Sequence, residues 1–87
     1  PRFASELGLS DEAKLRARQL LKNAKEKGVH SGKSPVGLAA AAVYAAALLT
    51  NEKTTQAAVS EVADISEVTI RNRYHELLEA EESIGIA

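Results

Sequence analysis

No cysteine occurs in the chain, so disulfides and thiolate metal sites are excluded, and a reducing cytoplasm is its natural setting. Aromatic residues make up only 3 %, against 45 % apolar residues in all. The core must therefore be built from Ala, Leu, Val and Ile, a composition that suits closely packed helices. The longest apolar run, residues 43–49 with the alanines before it, is too short and too Ala-rich to cross a bilayer. Strand-like alternation is absent, and no signal peptide is visible. At 87 residues the chain reads as one small domain, residues 1–87, with little stability to spare. It opens on Pro1 rather than Met, which suggests a piece of a longer protein.

Positive and negative charges nearly balance, with a net of −1, but they are unevenly spread. Residues 14–27 carry six basic side chains and one acidic one, a local balance of +5. From Asn51 onward three basic residues (Lys53, Arg71, Arg73) face eight acidic ones, a balance of −5. The plain reading of each run is a solvated helix face.

Helix signals fill the rest. Phe3 and Leu7 stand four apart, as at the end of a helix, with Gly8 as its stop. Ser10 is an N-cap, with Asp11 and Glu12 favouring the dipole of the first turn. Ala13, Ala17, Leu20, Leu21 and Ala24 follow as an apolar stripe, and Gly28 breaks the helix. Ser34 caps the next helix, with Pro35 at the first position, where a missing N–H costs nothing. "VGLAAAAVYAAALL" is apolar on nearly all sides and belongs at the centre, wrapped by the other helices. Thr50 to Lys53 make a polar turn. Thr55 caps a short helix to about Ala63, and Ser66 caps a last one to about Glu81.

Two motifs are weaker than they look. "GVHSGKSP" suggests a phosphate-binding loop, but only three residues separate Gly28 from Gly32 where four are required, and a helix rather than a strand precedes them. A helix cap explains it, though a lysine at a helix N-terminus can also touch a backbone phosphate. His30 and His75 lack partners at ligand spacing, so no metal or other cofactor is expected. No nucleophile–base or paired-carboxylate arrangement stands out, and the chain does not read as an enzyme.

Residues 56–78 are more specific. Val59, Val62 and Ala63 give a short helix an inner face, and Asp64 takes a turn position often given to glycine, since Asp tolerates left-handed backbone. Ile65 plugs the core and Ser66 opens the second helix. At about 100° per residue, Ile70, Tyr74, Leu77 and Leu78 fall on the inner side, while Val68, Arg71, Asn72 and His75 fall on the outer side. That outer set sits near a helix N-terminal end, where helix-turn-helix proteins present side chains to the major groove. Arginine pairs with guanine, asparagine with adenine, and valine meets a thymine methyl. Arg73 lies to one flank, better placed for phosphate. The competing reading is a plain surface helix in a bundle.

"SGKSPVGLAAAAVYAAALL", "TQAAVSEVADISEVTIRNRY" and the opening "RFASELGLSDEAK" together resemble the second cyclin-like repeat of archaeal transcription factor B, the counterpart of eukaryotic general initiation factor IIB. The likeness covers nearly the whole chain. It implies an all-α, five-helix cyclin-like fold with a buried Ala-rich central helix and a C-terminal helix-turn-helix at about residues 55–81. It implies binding to promoter DNA together with TATA-box-binding protein, the last two helices reading the B-recognition element upstream of the TATA box. The family's base-reading positions fall on Val68 and Arg71. Gln56, Thr69, Asn72 and Arg73 are neighbouring candidates for DNA contact, and Lys33 and Ser34 for phosphate. RNA polymerase would be engaged through parts of the full-length protein other than this repeat, and no membrane is expected as a partner. The setting implied is the nucleoid of an archaeal cytoplasm.

The sequence departs from the family pattern at Thr54, where a basic residue is common, and at Ala57 and Ala58, where a charged pair is common. Both departures weaken the expected grip on phosphate. The Ala-rich, slightly acidic character resembles proteins of salt-loving archaea. Giving up phosphate charge loses little in high salt, which already suppresses that term. Acidity thus argues against a stand-alone DNA binder, not against a reader held in place by a partner. The rival expectation is a protein-interaction module whose basic helix, Lys14 to Lys27, meets an acidic partner without reading DNA.

Overall fold

Four hydroxyl side chains set where the helices begin. Ser10 accepts a hydrogen bond from the Ala13 amide at 3.2 Å, Ser34 from Gly37 at 3.3 Å, Thr55 from Ala58 at 3.0 Å and Ser66 from Thr69 at 3.2 Å. Each satisfies an amide that has no partner inside its own helix. The computed structural model describes residues 6–28, 32, 34–52 and 54–86, with side chains to residue 80. Those residues form four helices and no strand: α1 (Asp11–Glu26), α2 (Pro35–Leu49), α3 (Gln56–Ala63) and α4 (Glu67–Ile86). Gly8 has the left-handed φ of 72° that the expected stop requires. Most of the helix end expected at Phe3–Leu7 lies outside the described residues. The last helix runs to Ile86 rather than to about Glu81. Glu81 and Glu82 are good helix formers, no proline follows them, and one glycine costs only about 1 kcal/mol.

The alanine helix α2 is enclosed as expected. Nine of its fifteen residues are buried, among them six alanines, Val43, Leu38 and Gly37. Helix α1 lies against α2 and α4 through Ala13, Ala17, Leu20 and Ala24, and α3 touches α2 and α4. Two apolar clusters result. The larger joins α1, α2 and Leu77 of α4, with Leu21 and Leu78 at its edge; the smaller joins Ala40, Val59, Ala63 and Ile70, with Ile65 packed against it. Helix α4 therefore enters both clusters, Ile70 anchoring its first half and Leu77 its second. Tyr74 stands between them and meets Tyr44 of α2 edge to face, ring centroids 5.3 Å apart.

A polar latch closes the other end of α2. Asn51 adopts φ 59°, letting its amide reach the Leu48 carbonyl at 3.2 Å and the Glu52 amide reach Ala47 at 2.8 Å. This left-handed ending aims Glu52 at the start of α1. Its carboxylate accepts from the Ser10 hydroxyl at 2.6 Å, the Ser10 amide at 2.8 Å and the Thr50 hydroxyl at 2.8 Å. Ser10 thus caps its own helix and bonds a residue 42 positions away.

The Ser10 hydroxyl first, then its amide and the Thr50 hydroxyl, hold the Glu52 carboxyl below the usual glutamate range, opposed by a smaller desolvation effect. A lowered folded-state value stabilises the fold at pH above the unfolded value, and this contribution is lost as pH falls through the folded value. Glu52→Gln should accordingly lower the melting temperature at neutral pH. The gap from the parent should narrow once pH drops below about 4.3 and close beyond the lowered value. A Leu77→Ala change, at a side chain fully buried in the larger cluster, should cost about 2–5 kcal/mol in denaturant unfolding.

Candidate nucleic-acid interface

The turn between α3 and α4 is held by one side chain. Asp64 takes φ 57° and ψ 45°, the left-handed conformation expected of it, and its amide returns to the Ser60 carbonyl. The same carbonyl accepts from the Ile65 amide at 3.3 Å, and the Ser60 hydroxyl donates to the Ile65 carbonyl at 2.5 Å. Ser66 then opens α4, accepting from the Thr69 amide and donating to the Thr69 hydroxyl at 2.9 Å. Three residues therefore separate the two helices, and each has a defined role.

With Ile70 buried at 0 % exposure, Val68 is 56 % exposed, and Arg71, Asn72 and His75 are exposed as well. The outward set read from the helical period is thus outward in the structure. His75 is not loose on that face, since its ring rests against Tyr74 with centroids 5.2 Å apart. Thr69 is half-buried where α4 meets α2: its methyl lies 3.5 Å from where a Cβ on Gly37 would stand, and the Ser34 Cβ lies 3.7 Å from the same point. The structure therefore brings Ser34 and Thr69 together, each beside the starting turn of its helix. Gln56 is half-buried at the first position of α3. Lys33 lies outside the described residues.

Arg73 is less free than its flank position suggests. It is half-buried, and its guanidinium holds both oxygens of Glu76, with Oε2 at 2.8 Å. This i, i+3 pair is visible in the sequence spacing. Among the described residues no group of three or more His, Cys, Asp or Glu could hold a metal ion, and no helix is long and apolar enough to cross a membrane.

The profile of the family described as the transcription factor TFIIB repeat matches residues 1–80. This chain belongs to the TFIIB repeat family. Similar proteins include transcription initiation factor IIB 6 of Halobacterium salinarum, 87 % identical over 99 % of the chain and 27 % of that protein. Transcription initiation factor IIB 2 of Haloferax volcanii is 78 % identical over the whole chain and 26 % of its own length. A transcription initiation factor IIB of Haloarcula vallismortis is 59 % identical over 92 % of the chain and 70 % of its own length. The chain spans about a quarter of the first two relatives. All three come from salt-loving archaea, in line with the acidic, Ala-rich composition of this TFIIB repeat.

Sequence reading did not find the Ser60 clamp or the approach of Thr69 to Gly37, because both depend on how the helices cross. In this TFIIB repeat Asp64→Gly should leave stability unchanged or raise it by up to about 1 kcal/mol, since glycine occupies left-handed backbone without a Cβ penalty. Asp64→Val should lower it by about 1–2 kcal/mol, a β-branched residue being poorly tolerated there. Thermal melts of the two variants would check this ordering.

Proposed function

We propose that this chain is the DNA-reading repeat of a general transcription initiation factor, binding promoter DNA together with TATA-box-binding protein. In this reading α3, the Asp64–Ser66 turn and α4 form a helix-turn-helix on the B-recognition element upstream of the TATA box. The fold is then a five-helix cyclin-like repeat in which the four described helices are the last four. Support comes from family membership and from relatives named as transcription initiation factors. The observation that carries the reading is the outward stripe of Val68, Arg71 and Asn72 on a helix anchored from behind by fully buried Ile70 and Leu77.

The roles divide by chemistry. Arg71 offers two parallel donors to a guanine edge, Asn72 a donor and an acceptor to adenine, and Val68 an apolar surface to a thymine methyl. Ser34, Lys33, Gln56 and Thr69 hold the backbone, and Arg73 adds a phosphate contact only to the extent that it leaves Glu76. Such an interface has few cations, so TATA-box-binding protein and the remainder of the factor supply the retention that phosphate contacts usually give. RNA polymerase is engaged through other parts of the full-length factor, and no catalytic role is proposed. The setting is the nucleoid of an archaeal cytoplasm.

Titration against matched and scrambled duplexes at two salt concentrations tests the reading. Arg71→Ala should cost about 1–3 kcal/mol of discrimination at its base pair; unchanged preference would refute base reading. Glu76→Gln should free Arg73, tightening binding to all sequences alike and steepening the dependence of log K on log salt by about 0.9.

A further inference from the structure

The proposed DNA-reading face leaves the basic helix unexplained. Of its six cations, Lys14, Arg18, Lys22 and Lys25 recur at i, i+4, i+8 and i+11, within about 80° of arc at 100° per residue. Arg16 and Lys27 point elsewhere by the same arithmetic. The buried residues of α1 are Ala13, Ala17, Leu20 and Ala24, so the basic stripe lies on the solvent side. Arg18, Lys22 and Lys25 are exposed. Along the border of this stripe stands Leu15, 56 % exposed, one turn before Arg18 and two turns before Lys22. At the N-terminal end of the stripe, Asp11 is fully exposed and lies 3.8 Å from the Lys14 ammonium.

We infer that the outer face of α1 is a docking surface for an acidic polypeptide segment that carries a bulky apolar side chain. Charge complementarity supplies the first part of this statement. The chain outside residues 14–27 carries −6, the net of −1 less the local +5, so the stripe is a local reversal of sign on an acidic protein. Leu15 supplies the second part. A nucleic-acid backbone offers nothing apolar to cover a leucine, whereas an acidic polypeptide can carry both charge and an apolar side chain. An acidic segment with one leucine-sized side chain covers Leu15 and places its carboxylates over Arg18, Lys22 and Lys25. None of these residues belongs to the proposed DNA-reading set, so the two surfaces are distinct.

Salt separates such a surface from a merely charged one. At about 1 M salt the screening length is about 3 Å, which removes most of the attraction between exposed charges. Apolar burial persists and is not weakened by salt of that kind. Binding that includes Leu15 therefore survives conditions in which charge pairing alone has faded.

The test uses the isotope-labelled chain and two short synthetic peptides of equal charge, one with glutamates and leucines at helical spacing, the other with serines in place of the leucines. A random-sequence DNA duplex serves as the third probe. The leucine peptide should shift the amide resonances of residues 14–25 and bind about fivefold more tightly than the serine peptide, the worth of covering roughly half a leucine. Leu15→Ser should reduce its affinity to the serine-peptide level, and Arg18→Glu with Lys22→Glu should abolish binding at low salt. If that double variant unfolds in a thermal melt, Arg18→Gln alone should still weaken binding. Raising salt from about 0.1 M to about 1 M should weaken the serine peptide more than the leucine peptide. Equal binding of the two peptides, indifference to Leu15→Ser, absence of shifts on α1, or stronger shifts there with the duplex would each overturn the inference. All of these readouts are independent of base discrimination by Arg71.

Discussion

Close approach of helix backbones through alanine is the constraint on which the rest of this fold depends. Aromatic residues are nearly absent, so the domain has few large side chains with which to fill space between distant helices. Instead α2 presents Ala40, Ala41, Ala42, Ala45, Ala46 and Ala47 to its neighbours, all at 0 % exposure. Small side chains bring the partner helices in, and the few larger ones, Leu20, Val43, Val59, Ile70 and Leu77, fill what remains. A core packed this closely tolerates little change in volume on either side. Gly37 extends the same device to the N-terminal end of α2, where the Thr69 methyl of α4 comes within ordinary contact distance of the Cβ position.

That packing fixes what α4 shows to solvent. Ile70 and Leu77 belong to separate clusters, so the helix is pinned at two points and cannot roll to bury Arg71. The Ser60 clamp and the left-handed Asp64 set the angle of entry, and the Ser66 cap sets the first exposed turn. The electrostatic character follows from the neighbours. Arg73 is drawn to Glu76, leaving Arg71 as the exposed cation of the outer stripe. A face of this kind is poor in long-range attraction and relies on short-range complementarity, a balance suited to strong salt, where long-range attraction is already screened.

Much of this was legible in the sequence, for reasons that can be named. The caps at Ser10, Ser34, Thr55 and Ser66 are local hydrogen bonds between residues three apart, so composition and spacing reveal them. The inward placing of Ile70 and Leu77 and the outward placing of Val68, Arg71 and Asn72 follow from the helical period alone. Asp64 was readable as a turn because few residues tolerate its backbone. The Glu52 latch was not, since its partner Ser10 is 42 residues away and only the ending of α2 at Asn51 brings the two together. The Arg73–Glu76 pair was visible as a spacing, but its half-buried position depends on tertiary packing. The continuation of α4 past Glu81 to Ile86 was not legible, because the tail "EESIGIA" lies at a chain end, and chain ends can fray.

The central claim is that two-point anchoring of α4 turns the stripe of Val68, Arg71 and Asn72 toward promoter DNA. Amide chemical-shift mapping with a duplex carrying the B-recognition element, in the presence of TATA-box-binding protein, tests it most directly. Shifts should concentrate on residues 66–75, with a second, weaker set at Ser34 and Gln56, and little change on α1. Shifts confined to α1, or to the buried residues of α2 through a general loosening of the fold, would contradict it.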